Sequence, residues 1–465
     1  MTPVATFKGK RIALFGLGGS GLVTAEALVA GGAKVHAWDD SEAARAEAER
    51  RGISLKDLGK TAFDAYEALV LAPGVPLTHP EPHWSVNKAR DAGIEIIGDV
   101  ELFCRERTLL APFAPFVAIT GTNGKSTTTA LIAHLLKTAG RGVQLGGNIG
   151  TAVLALEPPA EGRIHVIEVS SFQIDLAPSL VPSIGVMMNL TPDHIDRHGT
   201  VENYAAIKER MIAAADLAVI GIDDDFSRAM AERREAAGKA VVRVATRAVL
   251  NRGLFVDGTK VIFAHASKTI EAADLAGLGA LRGRHNAQNA AMAIAVATSL
   301  GVSGEAIREG LRTFGGLAHR MEEIGQVGRV LFINDTKATN ADSTEKALAS
   351  FERNIYWIVG GKPKEGGIEP LRPYFDRIAK AYLIGEAADA FAATLGEAVR
   401  HVHAGTLDVA VEMAMSDAGR DNDAVVLLSP ACASYDQYKN YEQRGNHFRV
   451  LVEALNGFVP KQKGA

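Results

Sequence analysis

The sequence predicts an α/β protein of three domains in which helices cover parallel sheets. Short apolar runs alternate with helical stretches along most of the chain, the pattern of a parallel sheet with helices on both faces. A length of 465 residues corresponds to about three domains. Two glycine-rich turns, each between an apolar run and a helix, are typical of nucleotide-binding units. We expect a Rossmann-like domain at 1–107, a central P-loop ATPase-like parallel-sheet domain at 108–316 and a C-terminal Rossmann-like α/β domain at 317–465.

The first domain contains short apolar runs of the length that suits buried strands. We expect strands at Arg11–Phe15, Lys34–Trp38, Ala68–Ala72 and Ile94–Ile97, and a helix at Gly21–Ala30. The Pro-punctuated stretch APFAP at 111–115 then predicts the first linker.

Similar runs recur in the rest of the chain. In the central domain we expect strands at 116–119, 165–169, 184–189 and 217–222, and helices at 204–211 and 287–300. Gly315 and Gly316 predict the second boundary. The third domain restarts the alternation with expected strands at 330–333, 355–359, 381–384 and 424–428.

The composition is that of an ordinary globular protein. Hydrophobic residues make up 47% of the chain, charged residues 22%, and the net charge is −4, so we expect no nucleic-acid partner and no membrane partner. We find neither a signal peptide nor an apolar run of membrane-spanning length. The two cysteines, Cys104 and Cys432, lie far apart, which fits a reducing, cytoplasmic setting. A monomer is our default expectation.

The first glycine-rich turn follows the first expected strand. Its sequence, GLGGSG at 16–21, matches G-x-G-x-x-G, and Asp39 ends the second strand, near the place where a dinucleotide-binding unit has its ribose-binding acid. The backbone of such a turn cradles a diphosphate, so NAD, FAD or any nucleoside diphosphate fits. A tight turn whose glycines only allow close helix packing is the alternative.

The second glycine-rich turn, ITGTNGKSTTT at 119–129, predicts a phosphate-binding loop. Glycines let backbone N–H groups converge on phosphate oxygens, and the following helix N-terminus favours anions. Lys125 would reach the β- and γ-phosphates, and the Ser126 hydroxyl would ligate Mg²⁺. The spacing between Gly121 and Gly124 is shorter than in the usual G-x-x-x-x-G-K-[ST]. The alternative is a strand-to-helix turn without a ligand.

Three groups downstream of this loop could bind metal and phosphate. Glu168 and His194 each follow an expected strand, at the edge where open α/β sheets bind ligands, and Lys208 lies on the expected helix at 204–211. Mg²⁺ prefers oxygen ligands, so Glu168 and Ser126 are natural candidates, with His194 for a second metal site. The alternatives are a helix-capping Glu168, a turn histidine and a solvated surface lysine, which is the usual state of a lysine on a helix.

At this point the chain resembles the Mur ligases, the ATP-dependent amide-forming ligases of bacterial cell-wall synthesis. The motifs that carry the resemblance are ITGTNGKSTTT, EVSSFQ, NLTPDHIDRH, RGRHNAQNAAMA, AHRMEEIG, FINDTKATN and SPACASYDQYKNYEQRGNHF. They extend over nearly the whole chain and are jointly very specific. The C-terminal motif is most similar to the branch of the family that adds D-glutamate to UDP-N-acetylmuramoyl-L-alanine.

The resemblance implies a reaction and two cofactors. ATP phosphorylates the carboxylate of UDP-N-acetylmuramoyl-L-alanine, and the amine of D-glutamate attacks the acyl phosphate to give an amide, ADP and phosphate. ATP and two Mg²⁺ ions are the implied cofactors. The implied metal ligands are Ser126, Glu168, His194 and Lys208, the last as a carbamate.

The resemblance also implies the remaining site residues. The implied catalytic residues are Lys125, Asn148, His194, Lys208 and Lys337. The implied ATP-binding residues are Gly121, Thr122, Asn123, Gly124, Lys125, Ser126, Thr127, Asn286, Asn289, Arg320 and Asp335, with His319 beside Arg320. The implied UDP-substrate contacts are Gly18, Gly19, Ser20, Asp39, Gly74 and Asn148. The implied D-glutamate contacts are Thr339, Lys364, Ser434 and Tyr441, with Lys362 as an alternative to Lys364.

Three other functions compete with this interpretation. A sister ligase or a folylpolyglutamate synthase is disfavoured by the SPACAS run and the Rossmann-like first segment. An NAD-dependent oxidoreductase with an unrelated P-loop domain would bind nicotinamide. A non-catalytic nucleotide switch would have no need of a second metal site.

Overall fold

The computed structural model describes residues 1–266, 268–364 and 366–461. Across these residues the chain forms three sheets, each with helices packed on it, which confirms the predicted α/β class. By contacts the chain divides into two compact units. The first unit comprises Met1–Asp274 and Gln288–Gly310, and the second comprises Leu275–Ala287 and Leu311–Ala465.

The first sheet is parallel, with the strand order β2-β1-β3-β4. Its elements are β1 (Arg11–Phe15), α1 (Gly19–Ala30), β2 (Lys34–Trp38), α2 (Glu42–Arg50), a 3₁₀ turn (Leu58–Lys60), β3 (Ala68–Leu71), α3 (Trp84–Asp91), β4 (Glu95–Ile97) and α4 (Asp99–Leu110). The strands agree with the prediction to within one residue at each end. Helix α1 begins two residues earlier than predicted because Gly18 is its N-cap.

The second sheet has the order β13-β12-β11-β10-β9-β8-β5-β7-β6. Its elements are β5 (Phe116–Thr120), α5 (Lys125–Thr138), β6 (Gly142–Gly147), β7 (Arg163–Glu168), α6 (Ser171–Asp175), β8 (Ile184–Met187), α7 (Ile195–His198), α8 (Val201–Ala214), β9 (Leu217–Gly221), α9 (Asp225–Ala236), β10 (Val241–Ala245), β11 (Arg252–Asp257), β12 (Lys260–His265) and β13 (Lys268–Asp274). The strands from β6 to β11 are parallel, and β11, β12 and β13 form an antiparallel extension. Helices α10 (Arg284–Ser299) and α11 (Gly304–Thr313) follow.

The third sheet has the order β18-β17-β16-β19-β15-β14-β20. Its elements are β14 (Glu322–Val327), β15 (Val330–Asn334), α12 (Ala341–Ala349), β16 (Ile355–Gly360), a 3₁₀ segment (Glu369–Arg377), β17 (Ile378–Ile384), α13 (Ala388–Leu395), β18 (His401–Gly405), α14 (Leu407–Ala418), β19 (Val425–Leu428), α15 (Tyr441–Glu453) and β20 (Phe458–Pro460). Strand β14 runs antiparallel to its neighbours β15 and β20. Buried Trp357 in β16 lies in the core of this sheet.

The central strands are buried on both faces, which explains their continuous apolar sequences. Every residue of β5 and β8 is buried, as expected for a parallel sheet covered by helices. Because β8, β5 and β7 are neighbours and parallel, the loops after their carboxyl ends meet at one edge of the sheet. This edge carries the candidate site residues described below.

Among the described residues, no helix is both long and apolar enough to cross a membrane.

Candidate active site

The loop between β5 and α5 has the backbone shape that only glycines allow. Gly121 has a φ of +141° and Gly124 a φ of +85°, both in the left-handed region. A Cβ atom at Gly121 would lie 2.7 Å from the Met188 Cβ, and one at Gly124 would lie 2.5 Å from the Asn289 Oδ1. The two glycines are therefore required by conformation and by space.

The segment after β8 holds this loop in place. The Thr122 N–H donates to the Asn189 carbonyl over 2.9 Å, and the Asn123 N–H donates to the Asn189 Oδ1 over 2.9 Å. The Thr122 hydroxyl donates to the Thr191 carbonyl over 3.1 Å. The NLT sequence at 189–191 thus shapes the loop, a role that its sequence alone did not reveal.

The start of α5 presents a cation and a helix N-terminus at the loop. Lys125 Nζ donates to the carbonyl oxygens of Gly121 (2.9 Å) and Thr122 (2.8 Å), so its charge lies over the loop. Ser126 is buried and Thr127 is half-buried in the first turn of the helix. The arrangement can bind a phosphate chain through backbone amides and one ammonium group.

Glu168 ends β7 and carries an unusual buried carboxylate. Only 2% of the residue is exposed. Its Oε1 accepts from the Asn148 Nδ2 over 2.9 Å, whereas its Oε2 is buried and has no hydrogen-bond partner among the described residues. The interpretation of Glu168 as a helix cap is wrong, because Ser170 caps α6. A buried, unpaired carboxylate oxygen is a natural ligand for a cation.

Lys208 is buried, so the expectation of a surface lysine, which rested on spacing alone, is wrong. Only 1% of the residue is exposed, and Nζ donates to the Thr120 Oγ1 (3.0 Å) and the Gly121 carbonyl (3.1 Å). Burial, and then the nearby charge of Lys125, hold the Lys208 pKa well below its usual value. The sequence held one signal of this burial: Lys208 shares a face of α8 with Tyr204 and Met211, which are buried at helical spacing.

His194 lies at the start of α7 with a φ of +53°. Its ring packs against Phe172 with 5.1 Å between ring centroids, and burial lowers its pKa, which favours the neutral imidazole that binds metals. Phe172 also stacks on His198, whose Nε2 lies 2.9 Å from the Ser171 Oγ. Burial lowers the pKa of His198 to about 4. His198 and Phe172 were not predicted as site residues, although His194 and His198 have the i, i+4 spacing of one helix face.

The donor set at this edge fits a cation that also binds phosphate. Among the described residues, no three His, Cys, Asp or Glu side chains cluster as a complete metal cage. The site instead offers the Ser126 hydroxyl, the unpaired Glu168 oxygen and the His194 imidazole. Mg²⁺ commonly takes few protein ligands and completes its shell with substrate phosphates and water.

The glycine-rich loop of the first sheet leads into a helix N-terminus, as a second anion site would require. Gly18 caps α1, and Gly19 and Ser20 open this helix, where backbone N–H groups favour a phosphate. Asp39 fastens the loop: its Oδ2 accepts from the Leu17 N–H over 2.6 Å and its Oδ1 from the Ser41 N–H over 2.8 Å.

The Gly74 loop is joined to the His194 segment in the same unit. The Gly74 carbonyl accepts from the Arg197 Nη1 over 3.0 Å. The predicted substrate loop and the predicted metal-binding histidine are therefore linked through the short helix α7.

In the second unit, Asp335 is a buried carboxyl with two donors. The Ser429 hydroxyl donates to Oδ2 over 2.9 Å and the Met321 N–H to Oδ1 over 3.1 Å. Burial raises the Asp335 pKa from 3.8 to about 7. His319 is buried, and Arg320, the next residue, is half-buried. Asn286 Nδ2 donates to the Arg282 carbonyl in this unit.

The predicted D-glutamate residues lie on three segments of the second unit. Lys337 Nζ lies 3.7 Å from the ring centroid of Tyr441, which begins α15. The Thr339 N–H donates to the Lys337 carbonyl over 2.9 Å. Ser434 is buried, and Lys364 is exposed in the loop after β16.

The structure therefore brings one part of the predicted set together within the first unit. Lys125, Ser126, Asn148, Glu168, His194 and Lys208 all lie in this unit, at or after the carboxyl ends of β5 to β8, and Asn289 reaches the loop at Gly124. Asn286, Arg320, Asp335, Lys337, Thr339, Lys364, Ser434 and Tyr441 belong to the second unit.

A P-loop on a parallel sheet and a second glycine-rich turn suited to a diphosphate define a nucleotide-binding α/β enzyme. Residues 119–297 match the Mur ligase middle domain, and residues 319–432 match the Mur ligase glutamate ligase domain. The chain belongs to the Mur ligase family, as its resemblance implied.

Full-length relatives support the same assignment. The chain is 58% identical to the UDP-N-acetylmuramoylalanine–D-glutamate ligase of Brucella abortus (strain 2308), over 100% of both chains. It is 59% identical to the protein of the same name from Brucella suis biovar 1 (strain 1330), over 99% of both chains.

Two solved structures share the fold. The match to UDP-N-acetylmuramate-alanine ligase MurC from Thermotoga maritima covers 94% of this chain and 98% of that chain, with a TM-score of 0.59 and 19% identity. The match to a pseudomurein peptide ligase type C from Methanothermus fervidus covers 96% of this chain and 99% of that chain, with a TM-score of 0.56 and 20% identity.

Proposed function

We propose that this chain joins D-glutamate to UDP-N-acetylmuramoyl-L-alanine in peptidoglycan precursor synthesis, with conversion of ATP to ADP and phosphate. The observation that carries the proposal is the 58% identity, over the full length, with a relative named for this reaction. The site supports it independently, because the first unit combines a phosphate-binding loop, a buried unpaired carboxylate and a second anion-binding turn.

The chemistry requires a carboxylate to become an electrophile. Transfer of the γ-phosphoryl group of ATP to the alanyl carboxylate gives an acyl phosphate with a good leaving group. The amine of D-glutamate attacks its carbonyl carbon, and the tetrahedral intermediate collapses to an amide and phosphate. The protein mainly has to position the reactants and stabilise charge.

The residues around the P-loop supply positive potential for the phosphoryl transfer. The backbone amides in the first turn of α5 would face the phosphate chain at the helix N-terminus, and Lys125 would add an ammonium charge. Asn148 orients Glu168 through the 2.9 Å hydrogen bond to Oε1. That bond leaves Oε2 available for a cation.

Ser126, Glu168, His194 and a modified Lys208 would hold two Mg²⁺ ions. Bound Mg²⁺ would neutralise the phosphate charge that develops during transfer. The hydroxyl, the unpaired carboxylate oxygen and the neutral imidazole fit this role without further change.

Lys208 would serve as a ligand after carbamylation. A neutral amine attacks CO₂, forms the N–C bond and releases a proton, which turns a cation into an anion with two oxygens. The lowered Lys208 pKa favours the neutral amine that this step needs. Loss of the positive charge on Lys208 also removes the repulsion between Lys208 and Lys125.

The remaining assignments follow the family resemblance. Gly18, Gly19, Ser20, Asp39, Gly74 and Asn148 would bind the UDP substrate, and Asn286, Asn289, Arg320 and Asp335 would bind ATP. Thr339, Lys364, Ser434 and Tyr441 would bind D-glutamate, and the catalytic residue Lys337 would face the acceptor and phosphoryl site. The reaction would take place in the cytoplasm, where ATP and UDP-sugars are available, and we expect the enzyme to act as a monomer.

The decisive test is phosphate release from ATP and Mg²⁺ with UDP-N-acetylmuramoyl-L-alanine. D-glutamate, L-glutamate, L-alanine and diaminopimelate are compared as acceptors. We expect strong stimulation by D-glutamate alone. Turnover with another amino acid, and none with D-glutamate, would keep the ligase class but reassign the acceptor.

A further inference from the structure

Arg444 is a fully buried arginine whose hydrogen bonds go to carbonyl and hydroxyl oxygens. Only 1% of the residue is exposed. Its Nε donates to the Thr336 Oγ1 over 2.9 Å, and its Nη2 donates to the carbonyls of Thr336 and Cys432, each over 3.1 Å. Its Nη1 donates to the Ala433 carbonyl over 3.4 Å. Among the described residues, no carboxylate pairs with this guanidinium.

These bonds join three segments of the second unit. Thr336 directly precedes Lys337, Ala433 directly precedes Ser434, and Arg444 lies in α15, which begins at Tyr441. A guanidinium has five N–H donors in a rigid plane, so it can fix several carbonyls relative to one another.

The Thr336 hydroxyl extends the same network to the start of α15. It donates its single proton to the Tyr441 carbonyl over 3.2 Å and accepts from Arg444 Nε. Both ends of the hydroxyl are therefore used, and Tyr441 is held relative to Thr336.

The loop with the two candidate lysines is attached to the same point. The Ala433 carbonyl also accepts from the Lys362 N–H over 2.9 Å, and the Ala433 N–H donates to the Lys362 carbonyl over 3.2 Å. A Cβ at Gly361 would lie 2.4 Å from the Ala433 oxygen and 3.0 Å from Arg444 Nη1. The position of the 361–364 loop thus depends on the segment that Arg444 fixes.

We propose that Arg444 is a positioning residue that sets the geometry of the acceptor amino-acid pocket. The inference rests on the proposed function, since it assumes that Thr339, Ser434, Tyr441 and a lysine of the 362–364 loop bind D-glutamate. Asp335 is held separately, by Ser429 and the Met321 N–H. Because the Arg444 bonds do not include the Asp335 side chain, we expect their loss to affect the acceptor and not the ATP ribose contact.

The test is the variant Arg444→Lys, assayed for phosphate release with each substrate varied in turn. A lysine has three donors on one nitrogen, so it cannot make all four of the bonds that Arg444 makes from three nitrogens. We expect the KM for D-glutamate to rise about tenfold or more, the effect of losing one or more charged hydrogen bonds. The KM values for ATP and UDP-N-acetylmuramoyl-L-alanine should stay unchanged.

Arg234→Lys is the matched control. Arg234 is also buried, and it donates to the carbonyls of Ile212, Ala215 and Ala240 in the first unit. This change should lower the melting temperature without changing the KM for D-glutamate. An equal rise in both variants would show a general loss of stability and overturn the positioning role.

Thr336→Val is a second, milder variant, which can test the inference even if Arg444→Lys does not fold. It removes only the hydroxyl between Arg444 and Tyr441, so the KM for D-glutamate should rise. An unchanged KM for D-glutamate in the folded variants, beside an active wild-type enzyme, would overturn the inference. A wild-type enzyme without D-glutamate-dependent phosphate release would instead overturn the proposed function.

Discussion

Lys208 is almost completely buried, and its pKa is lowered, which disfavours the positively charged form. Its Nζ bonds the last residue of β5 and the first residue of the P-loop, next to the charge of Lys125. An ammonium group there would repel Mg²⁺, whereas a carbamate would attract it. In the proposed arrangement with two metal ions, the chemical state of this one nitrogen would decide whether the second ion can bind.

We predict that Lys208→Ala lowers the rate of phosphate release by about 10²–10³-fold, the usual effect of losing one charge-stabilising group. Short carboxylates such as acetate should restore part of the activity, because they can occupy the space and supply two oxygens. Lys239→Ala, at an exposed lysine of the same unit, should behave as wild type. Full activity of the Lys208 variant without added carboxylate would contradict the carbamate proposal.

Asp335 makes the stability of the second unit depend on pH. Burial raises the pKa of Asp335 from its ordinary value of 3.8 to about 7. The folded state therefore holds the proton more tightly than the unfolded chain does. The stabilisation is complete below pH 3.8 and is lost as the pH rises toward 7, at roughly 1.4 kcal/mol for each pH unit. Above that range the folded protein contains a buried carboxylate.

We predict that Asp335→Asn is more stable than wild type at pH 8 and that the difference shrinks at pH 5. The amide can donate to the Ser429 hydroxyl, which can donate onward to Thr344, and it keeps one oxygen for the Met321 N–H. Urea denaturation across this pH range measures the difference. A constant difference at every pH would show that Asp335 does not titrate as described.

Helices α4 and α6 are joined by a buried contact between Asp99 and Gln173. The Gln173 Nε2 lies 3.3 and 3.4 Å from the two Asp99 oxygens, while its Oε1 accepts from the Ser170 N–H in the capping box of α6. Because Ser170 lies two residues after Glu168, this contact fixes the chain just beyond the predicted metal ligand.

We predict that Gln173→Leu lowers the free energy of unfolding by about 2 kcal/mol, since it leaves a buried carboxyl without its side-chain donor and opens the cap. Asp99→Asn should cost less, because burial already raises the Asp99 pKa and favours the neutral form. Urea midpoints of both single variants and the double variant measure the coupling. Additive effects would mean that the two side chains do not depend on each other.

The elements that the sequence predicted best are those whose burial is uniform. The runs at Phe116–Thr120 and Ala68–Leu71 are apolar throughout because both faces of each strand are covered. Strand β6 was missed because GVQLGG contains three glycines and is largely half-buried. Strand β13 was missed because KTIEAAD is mostly exposed.

The arrangement of the first two sheets in one unit had no signal in the sequence. It depends on contacts between distant residues, such as the Thr2 hydroxyl with the Leu156 carbonyl and the Ser179 N–H with Glu101. Such pairs show no periodicity or spacing along the chain. The predicted domain boundaries at 107 and 316 stay predictions, although by contacts the first two sheets form a single unit.

Each of the two compact units contains hydrophobic clusters of its own. The cores around β1, β5 and β8 belong to the first unit, and those around β15, β16 and β19 belong to the second. Tryptophan provides a reporter for each. Trp84 packs edge-on against Phe15 in the first unit, and Trp357 is buried in β16 of the second.

We predict that UDP-N-acetylmuramoyl-L-alanine stabilises the first unit selectively, because the predicted UDP contacts all lie there. A ligand at 100 times its Kd adds about 2.7 kcal/mol to the state that binds it. The double variant Trp38→Phe/Trp357→Phe leaves Trp84 as the only tryptophan, and Trp38→Phe/Trp84→Phe leaves Trp357. Trp38 is replaced in both variants because it adjoins Asp39, a predicted substrate contact. The ligand should raise the urea midpoint of the Trp84 signal and leave that of Trp357 in place. Equal shifts of both signals would mean that the chain unfolds as one cooperative body.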